Sequence, residues 1–165
     1  MIGPWAPTRR VGRPGWSAIV GGLIIGEYPV PADVPWLVSR VGVNAVVNLQ
    51  DHHDLAARAL PVATLERCYA EHEVEFHHLP TEDTPDAILA GIDGAVDLLS
   101  RLRDEGRTTY LHCNAGANRA PTFAIAWLHA GRGLDLDQAI ALVQSRRPCA
   151  PYLAVLQRRY GSCRG

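Results

Sequence analysis

The sequence lacks any apolar run long enough to cross a bilayer: its best, Ala18 to Ile25, is short and broken by Gly21 and Gly22. The opening MIGPWAPTRR has no apolar core of a secretory leader, because Gly, Pro and Arg interrupt it. Four cysteines (Cys68, Cys113, Cys149, Cys163) stand far apart with no C-x-x-C pair, which argues for free thiols rather than a disulfide scaffold. A formal net charge of −1 sets up no global field toward nucleic acid or an anionic membrane, though it leaves room for a local cationic pocket. These absences imply a cytoplasmic protein with no membrane span and no nucleic-acid partner.

What is present is an ordinary globular composition, 47% hydrophobic and 20% charged over 165 residues. That length suits one domain with its own core. Residues 1–16, rich in Gly, Pro and Arg, read as an irregular arm, and 17–165 as a single catalytic domain without repeats or a second linker. Ile19 to Ile25 reads as a strand or hairpin arm turning at Gly21-Gly22, and Ala32 to Arg40 as a short helix. VNAVVNL (43–49) is a buried strand by its β-branched content. Leu60 to Glu71 reads as a helix with Leu65 and Cys68 inward. Val74 to Leu79 reads as a strand alternating Val74, Phe76 and His78 against Glu75 and His77.

The best-defined helix begins at a Thr84 cap with Pro85 in its first turn, and Gly106 marks its end. Between them Ile88, Ile92, Val96 and Leu99, flanked by Leu89 and Leu102, make an apolar stripe at helical spacing. Thr108 to Leu111 is a short strand. Arg119–Ala130, Leu134–Arg146 and Leu153–Tyr160 complete the helices. Strands alternating with helices predict an α/β fold: a central, mostly parallel sheet of about 4–5 strands flanked by helices. Ligands in such folds sit beyond the carboxyl ends of the strands.

HCNAGANRAPT (112–122) lies in that position, between a strand and a helix. The helix start supplies free backbone N–H groups and the positive end of the dipole. Ala115, Gly116 and Ala117 are small enough for the backbone of Asn114 to Asn118 to curl around an anion. Arg119 adds a planar fork of donors matched to phosphoryl oxygens. The same surroundings favour Cys113 as a thiolate. Nucleophile, amide cradle and cationic clamp within seven residues suit covalent phosphoryl transfer. Taken singly, Cys113 would be a core residue and Arg119 a surface charge; the combination argues otherwise.

HCNAGANR resembles the H-C-x5-R signature loop of the dual-specificity branch of the protein tyrosine phosphatase superfamily. The resemblance implies a dual-specificity phosphatase-like fold and a metal-independent phosphomonoester hydrolase working through a phosphocysteine intermediate. It makes Cys113 the nucleophile, and Arg119 with residues Asn114, Ala115, Gly116, Ala117 and Asn118 the phosphate-binding set. His112 becomes the residue that orients the loop and tunes the thiolate. LIIGEYPVPADVPWL, VVNLQDHHD, FHHLPTEDTPD and RRPCAP are similar to successive landmarks of the plant glucan phosphatases and laforin. The implied partner is a phosphorylated substrate: a phosphoprotein first, with phosphoglycan or phosphoinositide as the other classes. No cofactor is expected.

Ester cleavage also needs a proton donor that can later activate water. The family keeps an aspartate about thirty residues before the cysteine. Asp83 matches its P-x-x-D pattern, with Asp86 as the alternative, although first-turn capping accounts for Asp86. Asp51 and Asp54 either border the pocket or are solvated loop charges. The pairs His52-His53 and His77-His78, with His72, show no metal-ligand spacing, and neighbours on a strand end face opposite ways. Cys149 is either a packed residue or a redox partner for Cys113. Trp127 reads as core.

Three positions depart from the pattern. Ala120 replaces the usual Ser or Thr, whose hydroxyl helps the thiolate leave in the second step; the plant glucan phosphatases share Ala-Pro here. Asn118 replaces their glycine and is expected to tolerate a left-handed backbone. Thr84 replaces an aromatic beside the acid, and only two Phe and five Tyr occur, which argues against a glucan substrate. Ala120 motivates a second reading, a phosphate-binding module of low turnover. Sulfur transfer or arsenate reduction fits the six-residue spacing and the upstream acid less well.

Overall fold

The β-branched run VNAVVNL lies at the centre of the molecule. In the computed structural model, which describes residues 12–161, it supplies β3 (Ala45–Asn48), buried throughout. Beside it run β5 (Thr109–His112) and β4 (Glu75–His78), both parallel to it, and β2 (Leu23–Gly26) is parallel to β5. An antiparallel β1 (Trp16–Val20) closes a five-stranded sheet in the order β1-β2-β5-β3-β4. Gly21-Gly22 is indeed the hairpin turn, but the strand starts earlier than expected. Trp16, assigned to the irregular arm, pairs with Gly26 and so belongs to β1. Residues 1–11 of that arm and Cys163 lie outside the described residues.

The pleat sends alternate residues to two helical layers. Leu23, Ile25, Ala45, Val47 and Leu111 face the larger core, with α4 (Pro85–Asp104), α5 (Arg119–Ala126), α6 (Leu136–Arg146) and α7 (Leu153–Tyr160). Ile24, Val46 and Tyr110 face the smaller one, with α1 (Val34–Trp36), α2 (His52–Ala57) and α3 (Val62–Glu71). Such two-sided burial is why β3 reads as a continuous apolar run. In α4 the Thr84 Oγ1 accepts the Ala87 N–H at 3.3 Å, and Ile88, Ile92, Val96, Leu99 and Leu102 are buried. Each buried aliphatic is worth about 1.5–3 kcal/mol against about 1 for the cap, so packing holds this helix. Gly106 takes a left-handed φ of 73° just past its end. Trp127 is buried in the larger core, as its sequence position suggests.

One expectation needs correction. The helix expected over Ala32–Arg40 is a mixed one: a 3-10 turn (Pro31–Asp33), then α1, then a wider π turn (Leu37–Val41). The alternation expected for the strand at 74–79 holds for the faces, with Val74 and Phe76 on the smaller core and Glu75 and His77 opposite, although β4 is the sheet edge and all four of its residues are only half-buried. Its Glu75 and His77 meet on the α4 side, at 2.8 Å, where Arg101 also reaches Glu75 at 3.0 Å.

Candidate active site

The parallel strands finish level with one another. Gly26, His112, Asn48 and His78 are cross-strand neighbours, so the segments after β2, β5, β3 and β4 leave the sheet along one edge. That edge is where open parallel sheets bind ligands. The segment after β5, residues 113–118, leads into α5.

Its carbonyls are held away from its centre one by one. Tyr28 N–H donates to Asn114 O at 3.0 Å, and Ala150 N–H to Ala117 O at 2.8 Å. The buried Arg147 donates from Nη2 to Ala115 O at 2.9 Å and from Nε to Gly116 O at 2.7 Å. Asn118 O accepts the Thr122 hydroxyl at 2.7 Å. Between Asn114 and Asn118 no backbone N–H finds an acceptor among the described residues. With the carbonyls spoken for outside, the amides are left to line a concave anion nest. Gly116 is the residue that lets the loop curl. Its φ is 64°, and a Cβ there would sit 2.6 Å from Gly26 O and 2.8 Å from Arg147 Nη2. Asn118 departs from expectation: its φ is −121°, outside the left-handed region, and its side chain donates to Ala150 O at 2.8 Å. The left-handed role falls on Gly116 instead.

Cys113 opens the loop and is buried, as is His112 before it. The His112 ring meets Cys113 O at 3.0 Å through Nδ1. Burial, reinforced by the Arg119 charge, pulls the His112 pKa down to about 4 against the pull of that hydrogen bond. The ring is therefore neutral, with Nδ1–H the donor. A histidine neutral in the fold and protonated in the open chain lowers stability as pH falls through the interval between the two pKa values. We therefore expect unfolding free energy to drop by roughly 3 kcal/mol between pH 6.5 and 4. Chemical denaturation across that range should show the slope in the native protein and lose most of it in His112→Gln.

Arg119 reaches back from the start of α5 and is 1% exposed. Its Nη1 donates to Asp54 Oδ2 at 2.6 Å and to Thr81 O at 2.9 Å. Burial opposes its charge, but the Cys113 and Asp54 charges more than offset this and raise its pKa. Its Nε is buried without a hydrogen-bond partner, 3.8 Å from Asp83 Oδ1. Nη1 of the fork is thus anchored, while Nε is left free of any hydrogen bond among the described residues. Asp54 also accepts from Asn114 Nδ2 at 2.7 Å, and Gln50 Nε2 holds Asn114 Oδ1 at 3.0 Å. Burial would raise the Asp54 pKa, but bonds from Arg119 and Asn114 bring it below its ordinary value.

Asp54 was one of two readings at the sequence level, and the structure makes it the ion-pair partner of Arg119. It sits in the first turn of α2, a helix that sequence reasoning missed. Asp51 caps that helix, with Asp54 N–H to Asp51 Oδ1 at 2.8 Å and Asp51 N–H to Asp54 Oδ2 at 3.0 Å. The D-x-x-D spacing before Leu55 was the signal for it. Arg147, read only as part of a landmark, and Tyr152 were likewise not singled out.

Asp83 lies on the segment after β4, half-exposed beside Arg119. Asp86 is exposed in the first turn of α4. Thr122 turns away from Cys113: besides donating to Asn118 O, it accepts the Tyr152 N–H at 2.8 Å. Ala120 is fully buried in the larger core. Cys149 is a half-buried free thiol packed against that core, and burial raises its pKa. His52 and His78 rings lie edge-on at 6.0 Å, with His78 Nε2 2.7 Å from Gln50 O. Among the described residues no three or more His, Cys, Asp or Glu gather as metal ligands, and no helix is long and apolar enough to cross a membrane.

Comparison with known proteins agrees with this geometry. Residues 23–153 match the family described as dual specificity phosphatase, catalytic domain. Phosphatidylglycerophosphate phosphatase PTPMT2 of Arabidopsis thaliana is 31% identical over 134 residues, 81% of this chain and 55% of its own. Laforin of Mus musculus is 29% identical over 145 residues, 81% of this chain and 44% of its own. Phosphoglucan phosphatase DSP4 of Castanea sativa is 31% identical over 140 residues, 82% of this chain and 37% of its own. The chain thus spans 37 to 55% of these relatives' lengths. In fold it is similar to PTPMT1 in complex with PI(5)P, with a TM-score of 0.73, 21% identity, and 86% and 90% of the two chains covered. Tk-PTP in its active form gives 0.69 at 23% identity over 87% and 94%. With its five-stranded sheet, its cysteine loop and this match over most of its length, the chain belongs to the dual specificity phosphatase family.

Proposed function

We propose that the protein is a phosphomonoester hydrolase that works through a phosphocysteine on Cys113. The observation that carries this reading is the loop itself, whose carbonyls from 114 to 118 are all bonded outward while its amides have no acceptor among the described residues. A tetrahedral dianion seated there meets several N–H donors, the Nε edge of Arg119 and the sulfur of Cys113 together. The Cys113 sulfur attacks phosphorus as the ester P–O bond breaks. Asp83 gives its proton to the departing oxygen. Water then attacks the phosphocysteine, Asp83 takes a proton from it, and the P–S bond breaks to release inorganic phosphate and the thiolate. The guanidinium and amides carry the charge of both transition states, the part a divalent ion plays in other phosphatases. His112 holds the loop at Cys113 O.

Asp83 rather than Asp86 takes the acid's role in this reading, because of the two it is Asp83 that lies beside Arg119, 3.8 Å from its Nε. Asp83→Ala should slow alkyl phosphates by 10²- to 10⁴-fold, about what a positioned proton donor supplies, and activated aryl phosphates far less. Steady-state rates on the two ester types check this, and equal losses would exclude it.

The substrate is a phosphorylated protein, glycan or inositol lipid. Relatives named for a phospholipid and for a phosphoglucan support the wider range. The test is a phosphate-release panel across these classes with chelator present and Cys113→Ser as the blank. Vanadate should inhibit every activity it reveals. A reducing compartment, the cytoplasm, belongs to the same reading: Cys68, Cys113 and Cys149 are free thiols, and the chemistry needs Cys113 reduced.

A further inference from the structure

Tyr152 bonds to the same carboxylate that the reaction above uses as its acid, and nothing in that scheme accounts for it. Its hydroxyl lies 2.9 Å from Asp83 Oδ1 and 2.9 Å from Asp83 O, so one phenol reaches both the side chain and the backbone of that residue. Tyr152 is itself tied down. Its ring packs against the larger core, and its N–H donates to the buried Thr122 hydroxyl, which in turn bonds Asn118 O at the end of the phosphate loop. Two residues earlier, Ala150 is stitched to the loop on both sides, by its N–H to Ala117 O and by its carbonyl to Asn118 Nδ2, at 2.8 Å each. Segment 147–152 therefore runs along the back of the loop and ends in a phenol that spans to Asp83.

We propose that Tyr152 is a positioning residue that fixes Asp83 over the phosphate loop, an inference that rests on the reading of Asp83 as the acid. The geometry gives the contact a direction. Oδ1 is the oxygen that receives the phenol and that lies 3.8 Å from Arg119 Nε. The phenol shares its one proton between Asp83 O and Oδ1, and with the guanidinium also on the Oδ1 side, Oδ2 is the oxygen left to carry the proton handed to the leaving oxygen. The phenol remains a donor throughout the working pH range, because burial and the neighbouring Asp83 push its pKa up to about 12. Without the hydroxyl, the half-exposed Asp83 carboxylate keeps, among the described residues, only the more distant Arg119 contact to orient it.

The test is Tyr152→Phe, which keeps the ring in its packing and removes only the hydroxyl. Rates are measured on an alkyl phosphate, which needs a proton donor, and on an aryl phosphate with a good leaving group, which needs one far less. The expected result is about a tenfold loss of kcat on the alkyl ester and less than about threefold on the aryl one. In the Asp83→Ala background, Tyr152→Phe should add little further loss on the alkyl ester, since both changes remove one interaction. Equal losses on the two esters, or a full additional loss in the Asp83→Ala background, would overturn the role of Tyr152 while leaving Asp83 in place. If Asp83→Ala itself showed no preference between the esters, the reading of Asp83 would fail and this inference with it.

Discussion

Cys113→Ser will bind phosphate and not turn over any ester. A serine hydroxyl at position 113 is not ionised near neutral pH, and no base lies in the scheme to activate it. The thiolate is both nucleophile and leaving group in the two steps, so its loss stops each of them. We expect kcat/KM to fall by about 10⁴-fold or more on every substrate, the scale seen when a nucleophile is removed. The fold should persist: Cys113 is a small residue at 3% exposure, and the exchange changes little volume. The amide nest and Arg119 are untouched by the exchange, so phosphate binding should persist, which calorimetry with inorganic phosphate would register. Activity retained at more than a few per cent in clean Cys113→Ser protein would contradict this.

The second large effect belongs to Arg119, where charge alone is not enough. Its guanidinium does two things in different directions. Nη1 is bonded to Asp54 Oδ2 at 2.6 Å and to Thr81 O at 2.9 Å, while Nε has no hydrogen bond among the described residues. A lysine ammonium is a single point charge. It can pair with Asp54 or serve the phosphate, and cannot do both with one nitrogen. Arg119→Lys should therefore cost about 10³- to 10⁵-fold in kcat, the range associated with a guanidinium at a phosphoryl transfer. Arg119→Ala should lose activity to a similar degree and stability as well. It leaves the mostly buried Asp54 carboxylate without its cation, which costs about 3 kcal/mol or more. Denaturant melts of the two variants separate these effects, with Lys near the native midpoint and Ala well below it. A lysine variant at full activity would exclude the bidentate role.

Much of this molecule was legible before its structure. VNAVVNL read as a buried strand, and the Thr84 cap, the apolar stripe and Gly106 bracketed α4 nearly to the residue. HCNAGANR between a strand and a helix located the loop, because small residues beside a cysteine and an arginine have few other reasons to coincide. What escaped was whatever depended on long-range packing. Asp54 sits 65 residues from Arg119 in the chain, and only the parallel register of β3 and β5 brings their segments together. Arg147 gave no sign of being the buried guanidinium that holds two loop carbonyls, since an arginine before a proline at a helix end usually faces water. Asn118 is not called on for a left-handed backbone, because that turn is made two residues earlier by Gly116, where Gly26 and Arg147 leave no space for a side chain. The edge strand β4 keeps its period-two pattern, with Phe76 on the smaller core and Glu75 and His77 on the α4 side, but at a sheet edge neither face is fully covered.

The central claim is that phosphate passes through the sulfur of Cys113. Rapid acid quench during turnover of an aryl phosphate, followed by peptide mass spectrometry, tests it directly. Instant denaturation removes the groups that hydrolyse the phosphocysteine and so holds the adduct long enough to be read on the peptide. The account predicts one phosphoryl group on the peptide containing Cys113, formed within a single turnover and absent from Cys113→Ser. Because Ala120 supplies no hydroxyl to the departing thiolate, the adduct should also accumulate, and Ala120→Ser should reduce its level. Phosphate released at the native rate with no adduct on Cys113 at any quench time, or an adduct on a different residue, would contradict it.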